Sequence, residues 1–316
     1  MPLDIKRIVK IPDYTQNFLN ALKFAPDRNV LNTPIEDLRQ DFAKSVGMFG
    51  RAHQDVFYVE DFYVESSKHK NPIKTRFYLP ASDAKKIIIY LHGGGWCRGS
   101  IDTYDTHVRD MANRTGMAVL SVEYGLAPEN PFPAGMYDAV DVYLWVKNTF
   151  QKENDFLSVF LMGDSGGGNI AAASICYLVD NQHPIPDAYV GIYPSFDFSL
   201  SQKSYETYGT GYGLTKDMTR MYVDYYVVDA KHKKNYLASP MLYPHLNKFP
   251  TTYMLTAQLD PLADEQAEFC AKLKNEGVDA VQNVVPGVVH PFMLFGKIFP
   301  EVPGCIDWIK ESLLKK

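Results

Sequence analysis

The chain has 316 residues, 46% of them hydrophobic, and its 32 Lys and Arg against 37 Asp and Glu leave a formal net charge of -5. A large core can be buried at that length, while the charge balance excludes the basic footprint of a nucleic-acid-binding protein and no run of about 18 apolar residues marks a membrane span. The opening stretch, Met1-Pro2-Leu3-Asp4-Ile5-Lys6-Arg7, leads into no long apolar run, which predicts a cytoplasmic protein without a signal peptide.

Residues 1 to 50 read as helical. Tyr14, Phe18 and Leu22 line one helical face, and Thr33-Pro34-Ile35-Glu36 has the form of a capping box opening a second helix that carries Leu38 and Phe42. Beyond residue 50 apolar runs alternate with helical spacings. Strands are predicted near 56 to 64, 73 to 79, 86 to 91, 117 to 122, 157 to 162, 188 to 193, 251 to 257 and 279 to 285. Between them Ala139, Val142, Tyr143, Val146 and Phe150 recur at helical spacing, as do Ile306, Ile309 and Leu313 near the end. This alternation predicts an α/β fold with a mostly parallel eight-stranded sheet and helices on both faces.

The strand Ile87-Ile88-Ile89-Tyr90-Leu91 opens into His92-Gly93-Gly94-Gly95-Trp96. Consecutive glycines leave their backbone N–H groups unshielded, so several amides can converge on one oxygen. An acyl transfer through a tetrahedral intermediate needs such donors for its oxyanion, and losing one typically costs about 10² to 10³ in rate. Gly93 and Gly94 are the candidate donors, with Gly166 as the third.

Gly163-Asp164-Ser165-Gly166-Gly167 follows the apolar run Val159-Phe160-Leu161-Met162 and precedes the helical Ile170-Ala171-Ala172-Ala173. A serine between glycines at a strand-to-helix junction occupies a turn too tight for larger neighbours, which lifts its hydroxyl above the sheet. Ser165 is therefore the candidate nucleophile. It requires a base, and the base requires a carboxylate to hold its tautomer.

Past the sixth predicted strand, residues 198 to 248 interrupt the alternation, with Met218, Met221, Tyr222 and Tyr225 on one face of a helix beginning at Thr215. Together with residues 1 to 50 this insertion predicts a two-part helical cap, with the α/β core in 51 to 197 and 249 to 316. An insertion after the C-terminal end of a strand covers the functional end of such a sheet. Trp96, Phe198 and Tyr212 are the candidate pocket-lining residues, suited to a small hydrophobic or aryl ester as partner.

The strand Thr252-Tyr253-Met254-Leu255-Thr256-Ala257 is followed by Asp260, the favoured acid, with Asp264 as the second choice because it reads better as a first-turn helix carboxylate. His290, after the last apolar run, is the candidate base. Among the other histidines, His232 and His245 precede the acid, His183 lies in a connector, and His53, His69 and His107 fall in polar, surface-like stretches. The four cysteines, Cys97, Cys176, Cys270 and Cys305, form no C-x-x-C pair, which argues against a zinc site or a redox motif.

His92-Gly93-Gly94-Gly95, Gly163 to Asn169, Asp260-Pro261-Leu262-Ala263-Asp264-Glu265 and His290 together resemble the hormone-sensitive-lipase-like branch of the α/β-hydrolases, as does Val122-Glu123-Tyr124-Gly125-Leu126-Ala127-Pro128-Glu129. The resemblance spans roughly residues 55 to 315 and has two departures. Gly125 stands where the family usually has Arg, and Gly166 where it usually has Ala. It implies cofactor-free carboxylic ester hydrolysis, usually of short acyl chains, beneath a cap, in a family where dimers through an edge strand are common. Amide hydrolysis by the same residues is the nearer alternative. A second is a ligand-binding receptor of the plant gibberellin type, which lacks the histidine found here at 290.

Overall fold

The computed structural model describes residues 11–24 and 30–316. The N-terminal segment is therefore met through α1 (Asp13–Phe24) and α2 (Ile35–Phe49), and Met1 to Arg7 lie outside the described residues. The remaining chain alternates β1 (Tyr58–Val64), β2 (Ile73–Leu79), β3 (Lys86–Leu91), α3 (Ile101–Thr115), β4 (Ala118–Val122), α4 (Ala134–Trp145), β5 (Ser158–Asp164), α5 (Ser165–Asp180) and β6 (Ala188–Ile192). After the insertion, which carries α6 (Lys216–Tyr226), come β7 (Thr251–Leu259), α7 (Ala263–Asn275), β8 (Ala280–Val289) and α8 (Val302–Leu313).

The 8-stranded sheet has the order β1-β2-β4-β3-β5-β6-β7-β8. β2 is antiparallel to both β1 and β4, and the pairs from β4 through β8 are parallel. The central strands read as unbroken apolar runs because both of their faces are covered. Ile87, Ile89, Leu91, Val159 and Leu161 pack with α4, α5 and α7, whereas Ile88, Tyr90, Phe160 and Met162 pack with α3 and α8. This period of two follows from the alternation of side chains across a strand, and each such side chain contributes about 1.5–3 kcal/mol on burial. Ile306, Ile309 and Leu313 form the inner face of α8 as their spacing predicts.

Three strands extend past their predicted ends, reaching Asp164, Leu259 and Val289. In β5 the pairing continues through a residue with no side chain, Gly163 pairing with Leu91 on one side and Gly191 on the other, and in β7 and β8 it resumes past an irregularity at Leu259 and Val289. The expected capping box at Thr33 is not formed, because Pro34 takes the N-cap position with no side-chain cap bond and α2 starts at Ile35. Glu36 is thereby shifted out of register for the box and pairs with Arg39 instead. Thr215 does cap α6, its side chain accepting from Met218 N at 3.1 Å. Among the described residues no helix is long and apolar enough to cross a membrane.

Candidate active site

Ser165, Asp260 and His290 lie at the carboxyl ends of β5, β7 and β8, the end of a parallel sheet where ligands bind. Ser165 is the first residue of α5 and has φ +52°, a left-handed conformation that non-glycine residues adopt rarely. The turn closes only because of its neighbours. A Cβ on Gly163 would lie 2.5 Å from the Gly167 backbone, and one on Gly167 would run into the carbonyls of Leu91 and His92.

Ser165 Oγ is 2.9 Å from His290 Nε2, and His290 Nδ1 is 2.8 Å from Asp260 Oδ2. The carboxylate only accepts, so Nδ1 carries the proton and Nε2 is left to accept from the serine hydroxyl. Asp260 is fully buried and His290 only 6% exposed. The other Asp260 oxygen accepts from Leu262 N at 2.9 Å, which fixes the carboxylate plane. Asp264 is engaged elsewhere, accepting from Ser204 N at 2.8 Å and so tying the 198–248 insertion to the head of α7.

The glycine loop corrects one expectation. Gly93 N–H donates to Asp164 Oδ1 at 2.8 Å, so it is not available to an oxyanion; Gly94 and Gly95 line the cavity beside Ser165. Asp164 also accepts from Tyr90 Oη and Tyr104 Oη, each at 2.9 Å. Burial, reinforced by Asp164 itself, holds both phenols well above their ordinary pKa, so they stay protonated donors. Gly94 and Gly95 have φ +122° and +64°. These conformations turn the chain immediately after the amide that Asp164 fixes, and they require glycine. The Gly166 N–H belongs to the first turn of α5, where helical amides lack an internal acceptor.

His92 is buried and stacked on Tyr124, with ring centroids 4.5 Å apart, and burial lowers its pKa. Its Nδ1 donates to Gly93 O at 2.8 Å and so shapes the same loop. Asn169 supplies a further brace: its side-chain oxygen accepts from Trp96 Nε1 at 3.1 Å while its amide donates to Ser195 O and Ala238 O.

The site opens into a cavity of about 300 Å³ walled by Phe18, Leu22, Leu38, Phe42, Leu214, Met218 and Phe295, with Trp96 at its base. Of the aromatic candidates Trp96 lines it. Phe198 and Tyr212 do not: Phe198 packs edge-on behind Trp96 at 5.2 Å, and Tyr212 packs edge-on against Tyr208 at 5.1 Å. Both lie in irregular chain, where no periodicity indicates which way a side chain points. The residues from α1, α2 and α6 that do line the cavity sit on helical faces whose spacing was legible.

Two site-supporting residues escaped the sequence reading. Arg39 on α2 forks onto Glu129, with Nη1–Oε1 2.9 Å and Nη2–Oε2 2.6 Å, and also donates to Cys97 O at 2.9 Å and Ala127 O at 3.1 Å. The helical periodicity of α2 puts Arg39 next to Leu38 but does not name its partners. His69, from the β1–β2 connection, shares the Asp138 carboxylate with the backbone of Gly125. A Cβ on Gly125 would lie 3.0 Å from Asn130 Cβ and 3.2 Å from Asp138 Oδ2, so a longer residue there would press on Asn130 as well as face that buried carboxylate. Here Gly125 N–H donates to Oδ2 at 2.8 Å, and His69 Nε2 approaches Oδ1 to 2.8 Å from the opposite strand connection. His107, read as part of a polar stretch, is 7% exposed, because it falls on the inner face of α3 beside Tyr104 and Val108.

A serine on a strained elbow, joined through an imidazole to a buried carboxylate at the carboxyl edge of a parallel sheet, defines the α/β class of serine hydrolases. The model of the alpha/beta hydrolase fold family matches residues 88–294, and the chain belongs to that family, in its hormone-sensitive-lipase-like branch. It is 28% identical over 284 residues to an ethyl acetate hydrolase of Pseudomonas putida, covering 88% of this chain and 89% of that one. To an arylesterase of Saccharolobus solfataricus it is 32% identical over 260 residues, covering 81% and 83%. The structure of a Pyrobaculum calidifontis esterase superposes with a TM-score of 0.86 at 30% identity, over 96% of this chain and 98% of that one. The protein is a carboxylic ester hydrolase.

Proposed function

We propose that the protein cleaves esters of short acyl chains or aryl alcohols through an acyl-enzyme, with Ser165 as nucleophile, His290 as base and Asp260 as its orienting acid. The observation that carries this reading is the unbroken hydrogen-bonded line from Asp260 through His290 to Ser165 at the floor of the cavity. His290 takes the serine proton as Oγ attacks the ester carbonyl, and the amides of Gly94, Gly95 and Gly166 receive the oxyanion. His290 then protonates the departing alcohol, and a water activated in the same way releases the acid. At about 300 Å³ the cavity stands at the small end of ligand pockets, which favours small substrates. The names of the ethyl acetate hydrolase and the arylesterase point the same way.

The helices α1, α2 and α6 act in this reading as a two-part cap that selects acyl and alcohol groups. A cytoplasmic setting fits the four unpaired, buried cysteines, whose thiols burial pushes up, to about 11 at Cys97 and about 12 at Cys270 and Cys305. A homodimer joined through β8 fits the position of that strand at the sheet edge, with Val281 and Val284 exposed. The test of the chemistry is Ser165→Ala. It should abolish labelling by an organophosphate and bring p-nitrophenyl acetate and butyrate turnover to near background; retained turnover would remove Ser165 from the mechanism.

A further inference from the structure

Arg98 follows the glycine loop and lines the cavity together with Ser165 and His290. Its guanidinium lies between two rings, 4.8 Å from the centroid of Phe42 on α2 and 4.4 Å from that of Tyr222 on α6. Nε donates a long hydrogen bond, 3.4 Å, to Gly94 O. Among the described residues no carboxylate oxygen comes within ion-pair distance, 4.0 Å, of Arg98, and the polar side chain beside its guanidinium is the Tyr222 hydroxyl. A guanidinium offers five N–H donors in a fixed fork and no acceptor. Contact with both rings restricts the guanidinium, whose fork matches a planar oxyanion.

The surrounding wall supports the same reading. Among the described residues Ser195 Oγ, buried on the same cavity, lacks a hydrogen-bond partner, and the buried Tyr222 Oη has no acceptor for its own proton. The wall's carboxylates are engaged elsewhere: Asp164 with Tyr90, Gly93 and Tyr104, and Asp41 beside Lys44 at 4.0 Å. A largely apolar pocket, with Asp41 also on its wall, thus presents a cation that has no carboxylate within ion-pair distance among the described residues and a hydroxyl donor beside it.

We propose that Arg98 is an anion-recognition residue, which makes esters carrying a carboxylate, such as half-esters of short dicarboxylic acids, preferred substrates of this site. The proposal rests on the ester-hydrolase reading above and adds the substrate class to it. Arg98, Tyr222 and Ser165 line one cavity, so a half-ester with its free carboxylate on the Arg98 fork and Tyr222 directs its acyl chain along that cavity toward Ser165. Serine oxygen replaces the alcohol on the acyl carbon, and water then replaces the serine, so the products are the alcohol and the dicarboxylic acid.

The test compares kcat/KM for p-nitrophenyl hemisuccinate with that for the neutral p-nitrophenyl valerate, after subtraction of uncatalysed hydrolysis. In Arg98→Met the anionic-to-neutral ratio should fall about ten- to a hundredfold, the usual scale for a charge-assisted hydrogen bond, and Arg98→Lys should recover part of it. A ratio unchanged in Arg98→Met, with both esters affected alike, would leave Arg98 as a clasp between α2 and α6 and overturn the proposal. Should that variant not fold, the wild-type ratio decides: anion recognition makes it fall as NaCl is raised, and a salt-independent ratio overturns it. Turnover of the valerate ester by the wild type tests the ester-hydrolase reading separately.

Discussion

Asp164 Oδ1 accepts the backbone N–H of Gly93 at 2.8 Å, so the residue preceding the nucleophile anchors the loop that faces it. Asp164→Ala removes that acceptor along with the acceptors for Tyr90 and Tyr104. The loop amides then lose their aim, and kcat should fall about 10²-fold, the scale of losing an oxyanion donor, with little change in KM. Asp164→Asn keeps one oxygen for Gly93 and should be milder. Steady-state kinetics check this, and equal kcat in Asp164→Ala and wild type would separate the anchor from catalysis.

Asp260→Asn should lower kcat by about 10⁴, because an amide in place of the carboxylate no longer holds the productive histidine tautomer. Asp264→Asn should spare turnover and lower the melting temperature instead, since its carboxylate holds Ser204 N. Unaffected turnover in Asp260→Asn beside lost turnover in Asp264→Asn would hand the acid role to Asp264.

His69→Ala leaves the Oδ1 atom of Asp138 without its partner from the β1–β2 connection. Burial already raises the Asp138 pKa, so the isolated carboxylate is costly. A loss of about 1–2 kcal/mol by urea unfolding is expected, on the scale of a partly buried hydrogen bond to a charged group. Adding Gly125→Arg should restore part of it, because a side chain at 125 starts 3.2 Å from Asp138 Oδ2. Failure of the double variant to exceed His69→Ala would dissociate the two positions.

Burial holds the pKa of both His92 and His107 below the ordinary imidazole value. As pH falls below about 6.5 the unfolded chain takes up these protons before the folded one does, so stability drops with pH in that range and is level above it. Each histidine contributes a slope of at most about 1.4 kcal/mol per pH unit. Glu265, whose pKa burial raises, acts in the opposite sense: folding favours its protonated form, and that contribution is lost as pH rises. His107→Leu should therefore show a shallower fall of melting temperature between about pH 7 and 5 than its parent, and parallel curves would argue against the buried neutral imidazole.

The central strands were legible because covered sheet faces demand unbroken apolar runs, and the cluster of Ser165, Asp260 and His290 because an activated hydroxyl needs a base and that base a carboxylate, while their order along the chain came from the family resemblance. Which glycine amides serve was not legible. Gly93, Gly94 and Gly95 are the same residue three times, and only the acceptor Asp164, distant in sequence, distinguishes the first from the others. Phe198 and Tyr212 were misassigned for a related reason: composition reveals an aromatic-rich segment, while packing decides which ring faces inward. The partner of Asp138 was hidden because His69 reaches it from another part of the sheet.

Arg39 belongs to a helix that lines the cavity, yet its hydrogen bonds end on Cys97, in the chain that follows the glycine loop, and on Ala127. That helix cannot swing outward without releasing both carbonyls and Glu129 at once. Any displacement of α2 is therefore transmitted, through one guanidinium, to the backbone behind the glycine loop.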